Sequence, residues 1–388
     1  MAESLVPLFD LDLEDGDIEA VAETLRSGWL TMGPQIDRFE QAFAEHLGVK
    51  HAIALSSCTA ALHLAYLAAG VGEGDEVIVP AITFVATAAA ARYCGAEPVL
   101  ADIVGKHDVG IDPESVEALI SPRTKAVCAV HYAGYPAALA ALEEICERHG
   151  LQLIEDAAHS PSGLDAPGGR KLGTVGLAGA FSFFSNKVLS CGEGGLLATD
   201  EDGVAELARS LRSHALTTGT WDRHKGHALG YDVVGTGFNY RMDEPRAALL
   251  ASRLGRLEDE IAARRRHTHA YREQLADVPG VACPYADADV DLSSCYVMPL
   301  VLDDAEQQVP LRETLKQRWN VQTSVLYPAI HEFSAYRDVR RGPLPQAEAL
   351  ARSQVTVPLF PSLADADRER VVVGIRQSLA ELAEGGAA

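Results

Sequence analysis

Lysine is scarce in this chain: Lys50, Lys106, Lys125, Lys171, Lys187, Lys225 and Lys316 are all that its 388 residues contain. With 33 basic against 55 acidic side chains the formal net charge is −22. That excludes the broad basic surface that nucleic acid or an anionic membrane requires. Long hydrophobic runs are missing too. The Ala-rich stretch at 86–91 is broken by Arg92 and Glu97, far short of the roughly 20 apolar residues of a membrane span. The first ten residues carry neither a basic start nor a long apolar stretch, so they do not read as a signal peptide. Cys58, Cys94, Cys128, Cys146, Cys191, Cys283 and Cys295 form no C-x-x-C pair. This fits reduced thiols in a cytoplasmic protein, most of them small core residues. No metal-ligand spacing occurs among the 13 histidines, and there is no G-x-S-x-G elbow or G-x-x-x-x-G-K-S/T phosphate loop.

What is present is ordinary globular composition, 47% hydrophobic and 23% charged, with length enough for two domains. From about Lys50 to Gly203 short apolar runs alternate with helical stretches. Strands are predicted at 51–55, 76–80, 98–102, 126–130, 152–156 and 194–199, and helices at 59–69, 83–94 and 137–149. Alternation of this kind implies βαβ units and a mostly parallel sheet, and continuous apolar strands imply burial on both faces. A helical stretch at 243–274 leads into a smaller α+β lobe, with strands predicted at 295–301 and 321–325 and helices at 309–319 and 364–384. The reading is an α/β large domain over 1–250 and a C-terminal domain over 251–388, with the cleft between them as the default ligand site.

Three segments carry chemistry, each at the C-terminal end of a predicted strand, where open α/β sheets bind ligands. Ser57-Cys58-Thr59 opens a helix. Its hydroxyls and amides suit a phosphate, and Ser57 or Thr59 also suits an ordinary N-cap, the commoner use of such residues. Asp156 ends a buried strand, where a carboxylate needs a partner. A protonated pyridinium nitrogen is one candidate, and a cap on the next turn is the other. His159 follows, as a donor to a phenolic oxygen or as a satisfied core histidine. Lys187 sits between the aromatic run Phe181–Phe184 and the Gly-rich turn 192–195. Partial desolvation of a lysine favours the free amine that condenses with an aldehyde; most lysines, by contrast, are surface residues. Ser182 lies within reach of a phosphate. Together these are the parts that pyridoxal phosphate requires.

The ordered set of motifs resembles the DegT/DnrJ/EryC1/StrS sugar aminotransferases of the fold-type I pyridoxal-phosphate class over nearly the whole chain. The matching segments are Ser27–Gly33, Phe39-Glu40, Ser57–Leu62, Pro80–Thr87, His131–Pro136, Glu155–His159, Phe181–Lys187, Gly192–Gly195, Gly237–Met242, Tyr327–His331 and Leu359–Leu363. The resemblance implies an aspartate-aminotransferase-like fold: an N-terminal arm, a cofactor-binding large domain around a seven-stranded, mostly parallel sheet, and the smaller C-terminal domain. It makes Lys187 the Schiff-base lysine and Asp156 the pyridinium partner. Ser57, Cys58, Thr59 and Ser182 become phosphate contacts, Phe84 the residue stacked on the ring, and His159 a ring contact. Asn239 becomes a phosphate ligand given by the other subunit of a homodimer. Trp29, Thr31, Tyr240, Arg241 and His331 fall where the family shapes its sugar-nucleotide site. Two departures stand out: Cys58 where glycine is usual, which threatens a shifted phosphate loop, and His159 where glutamine is frequent.

The implied activity is C4 amination of a 4-keto-6-deoxyhexose linked to dTDP or UDP, dTDP being the first reading, with L-glutamate as donor. C3 amination is the alternative, and a non-catalytic, cofactor-binding regulator is an alternative of another class. A related subgroup that replaces the lysine by histidine dehydrates sugars; Lys187 argues against that chemistry. The stretch 217–226 resembles an inserted loop of some sugar 4-aminotransferases. It is expected to bring Trp221 or Arg223 to the substrate across the dimer, with a mobile surface loop as the other reading.

Overall fold

The computed structural model describes residues 4–217 and 230–385. The large domain runs β1 (His51–Leu55), β2 (Glu76–Pro80), β3 (Glu97–Ala101), a hairpin of β4 (Ile103–Gly105) and β5 (Asp108–Ile111), then β6 (Thr124–Val130), β7 (Gln152–Asp156), β8 (Ala178–Ser182) and β9 (Gly195–Thr199). Seven of these form one sheet in the order β1-β9-β8-β7-β6-β2-β3. β9 pairs antiparallel with β1 and β8, while β2, β3, β6, β7 and β8 pair in parallel. The short apolar runs explain this architecture: β2 and β9 are buried at every position, as strands covered on both faces must be. Crossover helices lie at Cys58–Ala68, Ala86–Tyr93 and Leu139–His149. The first is capped by Ser57, whose hydroxyl accepts from the Ala60 amide at 3.1 Å.

The C-terminal lobe holds an antiparallel sheet of β10 (Val281–Ala282), β11 (Met298–Leu302) and β12 (Gln354–Val357), with helices Gln308–Trp319 and Asp365–Gly385 beside it. The strand expected at 321–325 makes only isolated bridges, Val321 to Val6 and Ser324 to Thr356. Its polar centre is the reason: the Gln322 side chain accepts from the Leu8 amide at 3.0 Å, so the segment is tied to the N-terminal arm. The helical stretch at 243–274 is two helices, Glu244–Leu254 and Leu257–Leu275, and the boundary drawn at residue 250 falls inside the first.

Two helices not anticipated from the sequence, Asp15–Arg26 and Pro34–Leu47, precede the sheet. The second is capped from far along the chain. The buried Glu244 carboxylate accepts from the amides of Gly33, Gln35 and Ile36 at 2.8–3.0 Å, meeting donors that a helix start leaves unpaired.

At the centre of the sheet Glu155 is fully buried and accepts from the amides of Gly173 (2.8 Å), Val175 (2.6 Å) and Gly176 (2.9 Å) and from His131 Nε2 (3.0 Å). The Ala137 amide points at His131 Nδ1, so Nε2 carries the proton that faces the carboxylate. Burial pushes the Glu155 carboxyl up, but the His131 bond and the loop amides outweigh it, and the net displacement is downward. A lowered carboxyl adds stability that is present above its unfolded value and lost as pH falls through the folded one. Glu155→Gln sets an NH2 donor against donors, and urea unfolding at pH 7 is expected to register a loss of about 2–4 kcal/mol. The gap from wild type should narrow below about pH 4.5, the ordinary carboxyl value. A gap independent of pH would contradict this account.

Candidate active site

Alternation along β8 sets up the site. Phe181 and Phe183 are buried against Phe43 and Phe39, with ring centroids 5.3–5.5 Å apart, so Ser182 between them faces the other way. The chain then turns back on itself: the Phe183 amide donates to Gly194 O and the Cys191 amide to Phe183 O, each at 2.9 Å. Lys187 stands within this closed loop. Its amide donates to Phe184 O at 2.9 Å, and its side chain enters a cavity of about 470 Å³ between the two lobes.

That cavity gathers Ser57, Cys58, Thr59, Phe84, Asp156, His159, Ser182 and Lys187. Among the described residues the amides of Cys58 and Thr59 have no hydrogen-bond acceptor, which leaves a pair of donors at a helix N-terminus beside the hydroxyls of Thr59 and Ser182. The cysteine does not disturb this turn. Cys58 is the first helical residue and is not among the positive-φ positions, so nothing there demands glycine. Glycine is needed opposite: a Cβ on Gly195 would fall 2.3 Å from the Cys58 nitrogen.

Asp156, 5% exposed, closes β7. One carboxylate oxygen accepts from Thr87 Oγ1 at 2.8 Å and the other from the Ala158 amide at 3.2 Å, with Cys58 Sγ at 4.0 Å. Burial pushes this carboxyl above its ordinary value, and Thr87, Ala158 and the charge on Lys187 pull it only part of the way back. The group is therefore short of a cation on its cavity side, and a protonated ring nitrogen would supply one. His159 presents Nε2 to the Tyr327 hydroxyl at 3.0 Å, while its buried Nδ1 has no partner among the described residues. Burial, then the charge of Lys187, holds it well below the usual histidine value, so it faces the cavity as a neutral ring. Phe84, 54% exposed, stands at the cavity wall near Tyr327, with ring centroids 5.7 Å apart.

Other expected residues lie outside the cavity of a single chain. Tyr240 stacks on Phe238 at 4.8 Å and shares its hydroxyl with His63 at 3.0 Å. Arg241 reaches Ser213 Oγ at 3.3 Å. Asn239 is exposed. These positions follow from the segment running along 211–213, with the Phe238 and Tyr240 amides donating to Leu211 O and Arg212 O. His331 faces Glu348 at 3.4 Å. Trp29 donates to Met32 O at 3.1 Å, and Thr31 is half-buried beside it. Trp221 and Arg223 lie outside the described residues. No group of three or more His, Cys, Asp or Glu suited to a metal ion occurs among the described residues.

Residues 12–376 match the model of the DegT/DnrJ/EryC1/StrS aminotransferase family. The chain belongs to that family. It is 36% identical over 367 residues, 93% of each chain, to the spore coat polysaccharide biosynthesis protein SpsC of Bacillus subtilis. It is also similar to the crystal structure of the aminotransferase TlmJ from Streptoalloteichus hindustanus, with a TM-score of 0.88, 34% identity, and 98% and 99% of the two chains covered. PseC of Helicobacter pylori, an aminotransferase involved in the biosynthesis of pseudoaminic acid, gives a TM-score of 0.88 at 27% identity, covering 98% of this chain and all of its own. Members of the family are sugar aminotransferases that depend on pyridoxal phosphate, and this chain is an enzyme of that type.

The buried carboxylate, the unpaired amides and the orphan His159 Nδ1 fit the ring nitrogen, phosphate and phenolic oxygen of that cofactor. Sequence reading missed Thr87, although Thr83-x-x-x-Thr87 is helical spacing, and the two hydroxyls meet at 2.9 Å. It also missed Tyr296 and Tyr327 as cavity residues, because both arrive from the C-terminal lobe and no local pattern brings them in.

In purified protein, Lys187→Ala should abolish the visible-edge absorbance of the bound cofactor. Asp156→Asn should keep the cofactor and slow transamination by about 100-fold or more, the scale of a lost transition-state charge partner. Thr87→Val should slow it by roughly five- to thirtyfold, for one buried hydrogen bond, and Thr87→Ser should restore it. A wild-type rate in Thr87→Val would remove Thr87 from the site.

Proposed function

We propose that the enzyme transfers the amino group of L-glutamate to a dTDP-linked 4-keto-6-deoxyhexose, giving the 4-amino sugar. The observation that carries this reading is the single cavity that joins Lys187, Asp156 and the Cys58-Thr59 amides. Bound pyridoxal phosphate supplies an electron sink for the carbon that loses its proton. The protein does the rest. Lys187 Nζ takes the α-proton of glutamate and later returns a proton to the sugar carbon. Asp156 keeps the ring nitrogen protonated. The Cys58 and Thr59 amides with Ser57, Thr59 and Ser182 hold the phosphate, and Phe84 and His159 set the ring plane. 2-Oxoglutarate leaves before the keto sugar enters.

Lys187 is the one cation beside neutral His159 among the described residues lining the cavity. The nucleotide diphosphate therefore needs positive charge from elsewhere. We assign that role to a second copy of the chain, with Asn239 and Arg241 turned outward from their own cavity toward the neighbour's, and with Trp221 and Arg223 added from the 217–226 stretch. Trp29, Thr31, Tyr240 and His331 would then shape the sugar-nucleotide side of this two-chain site. Lys187, rather than histidine, favours transamination over dehydration.

The deciding experiment incubates purified protein with dTDP-4-keto-6-deoxyglucose and L-glutamate, measures 2-oxoglutarate and solves the product by NMR. An amine at C4 with one 2-oxoglutarate per sugar is expected. Turnover with a 3-keto isomer alone would transfer the assignment to C3. Cofactor binding without 2-oxoglutarate release from any keto sugar would leave a regulator.

A further inference from the structure

Tyr296 has no part in the chemistry described so far, yet it is the residue on which the Lys187 amine rests. Nζ lies 4.4 Å from the centroid of the Tyr296 ring, and among the described residues it has no hydrogen-bond acceptor and no ion pair. The ring is itself fixed. It is 4% exposed and stacks on His159 with centroids 4.3 Å apart and planes 20° from parallel. Its amide donates to Ala133 O at 3.0 Å, and its carbonyl accepts from the buried Arg264 at 3.2 Å. The turn before it is pressed onto the large domain at Gly134, where a Cβ would meet Ser293 Oγ at 3.0 Å and the Cys295 nitrogen at 3.1 Å.

We propose that Tyr296 is a positioning residue for proton transfer: its ring receives the ammonium that Lys187 becomes on taking the donor's α-proton. This rests on the amine role given to Lys187 above. In the step the donor's Cα–H bond breaks and an N–H bond forms on Nζ. The electron pair stays with the donor carbon, drawn toward the cofactor. A ring face suits the task for two reasons. It attracts a cation more weakly than a carboxylate does, and it can neither give nor take a proton. It therefore steadies the charged amine and releases the neutral one. Asp156, the carboxylate of the cavity centre, is already engaged by Thr87 and Ala158, and neutral His159 beneath the stack adds no competing charge.

The test replaces Tyr296 by phenylalanine and then by 3,4,5-trifluorophenylalanine, which nearly preserves shape while depleting the ring's electron density. Full-length protein loaded with pyridoxal phosphate is mixed with L-glutamate or α-deuterated L-glutamate, and single-turnover loss of the visible band is followed. Tyr296→Phe should stay within about twofold of wild type. The fluorinated ring should be about five- to tenfold slower, the scale of one cation–π contact, with a larger deuterium effect because proton transfer has become slower. A packing role would move neither. A second readout needs no turnover. In cofactor-free protein labelled with ε-13C lysine, the Lys187 signal, found by its loss in Lys187→Arg, should be displaced by the ring current. It should stay displaced in Tyr296→Phe and move to the position of solvent-exposed lysines in Tyr296→Leu. Rates and isotope effects that stay flat across the series in an active wild type would overturn the role of Tyr296 alone, as would a Lys187 signal indifferent to Tyr296→Leu. A wild type that takes up cofactor but shows no glutamate-dependent change would overturn the amine role of Lys187, and this proposal with it.

Discussion

A carboxylate at the end of the central strand of a seven-stranded sheet has to be met on every side, and much of this site answers that demand. Asp156 is flanked in register by Val130 of β6 and Ala180 of β8, neither of which offers a polar group. Its donors therefore come from outside the sheet: Thr87 from the helix Ala86–Tyr93 and the Ala158 amide from the turn that follows. The cavity side is left for a cation. The placement of Thr87 in the first turn of that helix, with the Thr83 hydroxyl 2.9 Å from its own, and of Cys58 at the start of the helix Cys58–Ala68 answers the same need.

The residue before it is an instructive contrast. Glu155 and Asp156 are consecutive buried acids, so the period of two in a strand sends them to opposite faces. Glu155 meets four protein donors and is held as an anion, with its carboxyl displaced downward. Asp156 meets fewer and is displaced upward by burial. One acid is complete within the fold and pins the 173–176 loop beneath the sheet. The other is left incomplete, which is what a binding partner exploits. Two identical charges on neighbouring residues thus become one structural group and one chemical group, separated by the number of N–H donors each can reach.

Much of this was legible in the sequence. Apolar runs placed β1, β2 and β7 at their observed bounds, and Lys187, Asp156, His159 and the Ser57–Thr59 turn do converge on one cavity. What escaped was whatever depends on distant segments meeting. Tyr296 and Tyr327 join the site only because the C-terminal lobe folds over it. Polar Gln322–Ser324 reads as part of an apolar-flanked strand until the arm claims it. The helix Pro34–Leu47 starts on a carboxylate about two hundred residues away, and no local cap announces it. Tyr240, Arg241 and His331 were placed near the substrate by motif, but within one chain their polar atoms face His63, Ser213 and Glu348.

The N-terminal arm carries a consequence for how the chain is made. Val6 pairs with Asn320–Gln322, Leu8 accepts from the Leu359 amide, and the Leu8 amide donates to a side chain 314 residues further on. On a ribosome adding 5–20 residues per second, that partner follows about 15–60 s after the arm. The large sheet can form in the meantime, while Leu5, Phe9, Leu11 and Leu13, exposed even in the finished fold, have nothing to dock on. The arm is made well before the segments that hold it, and during that interval it stands open to chaperones and proteases.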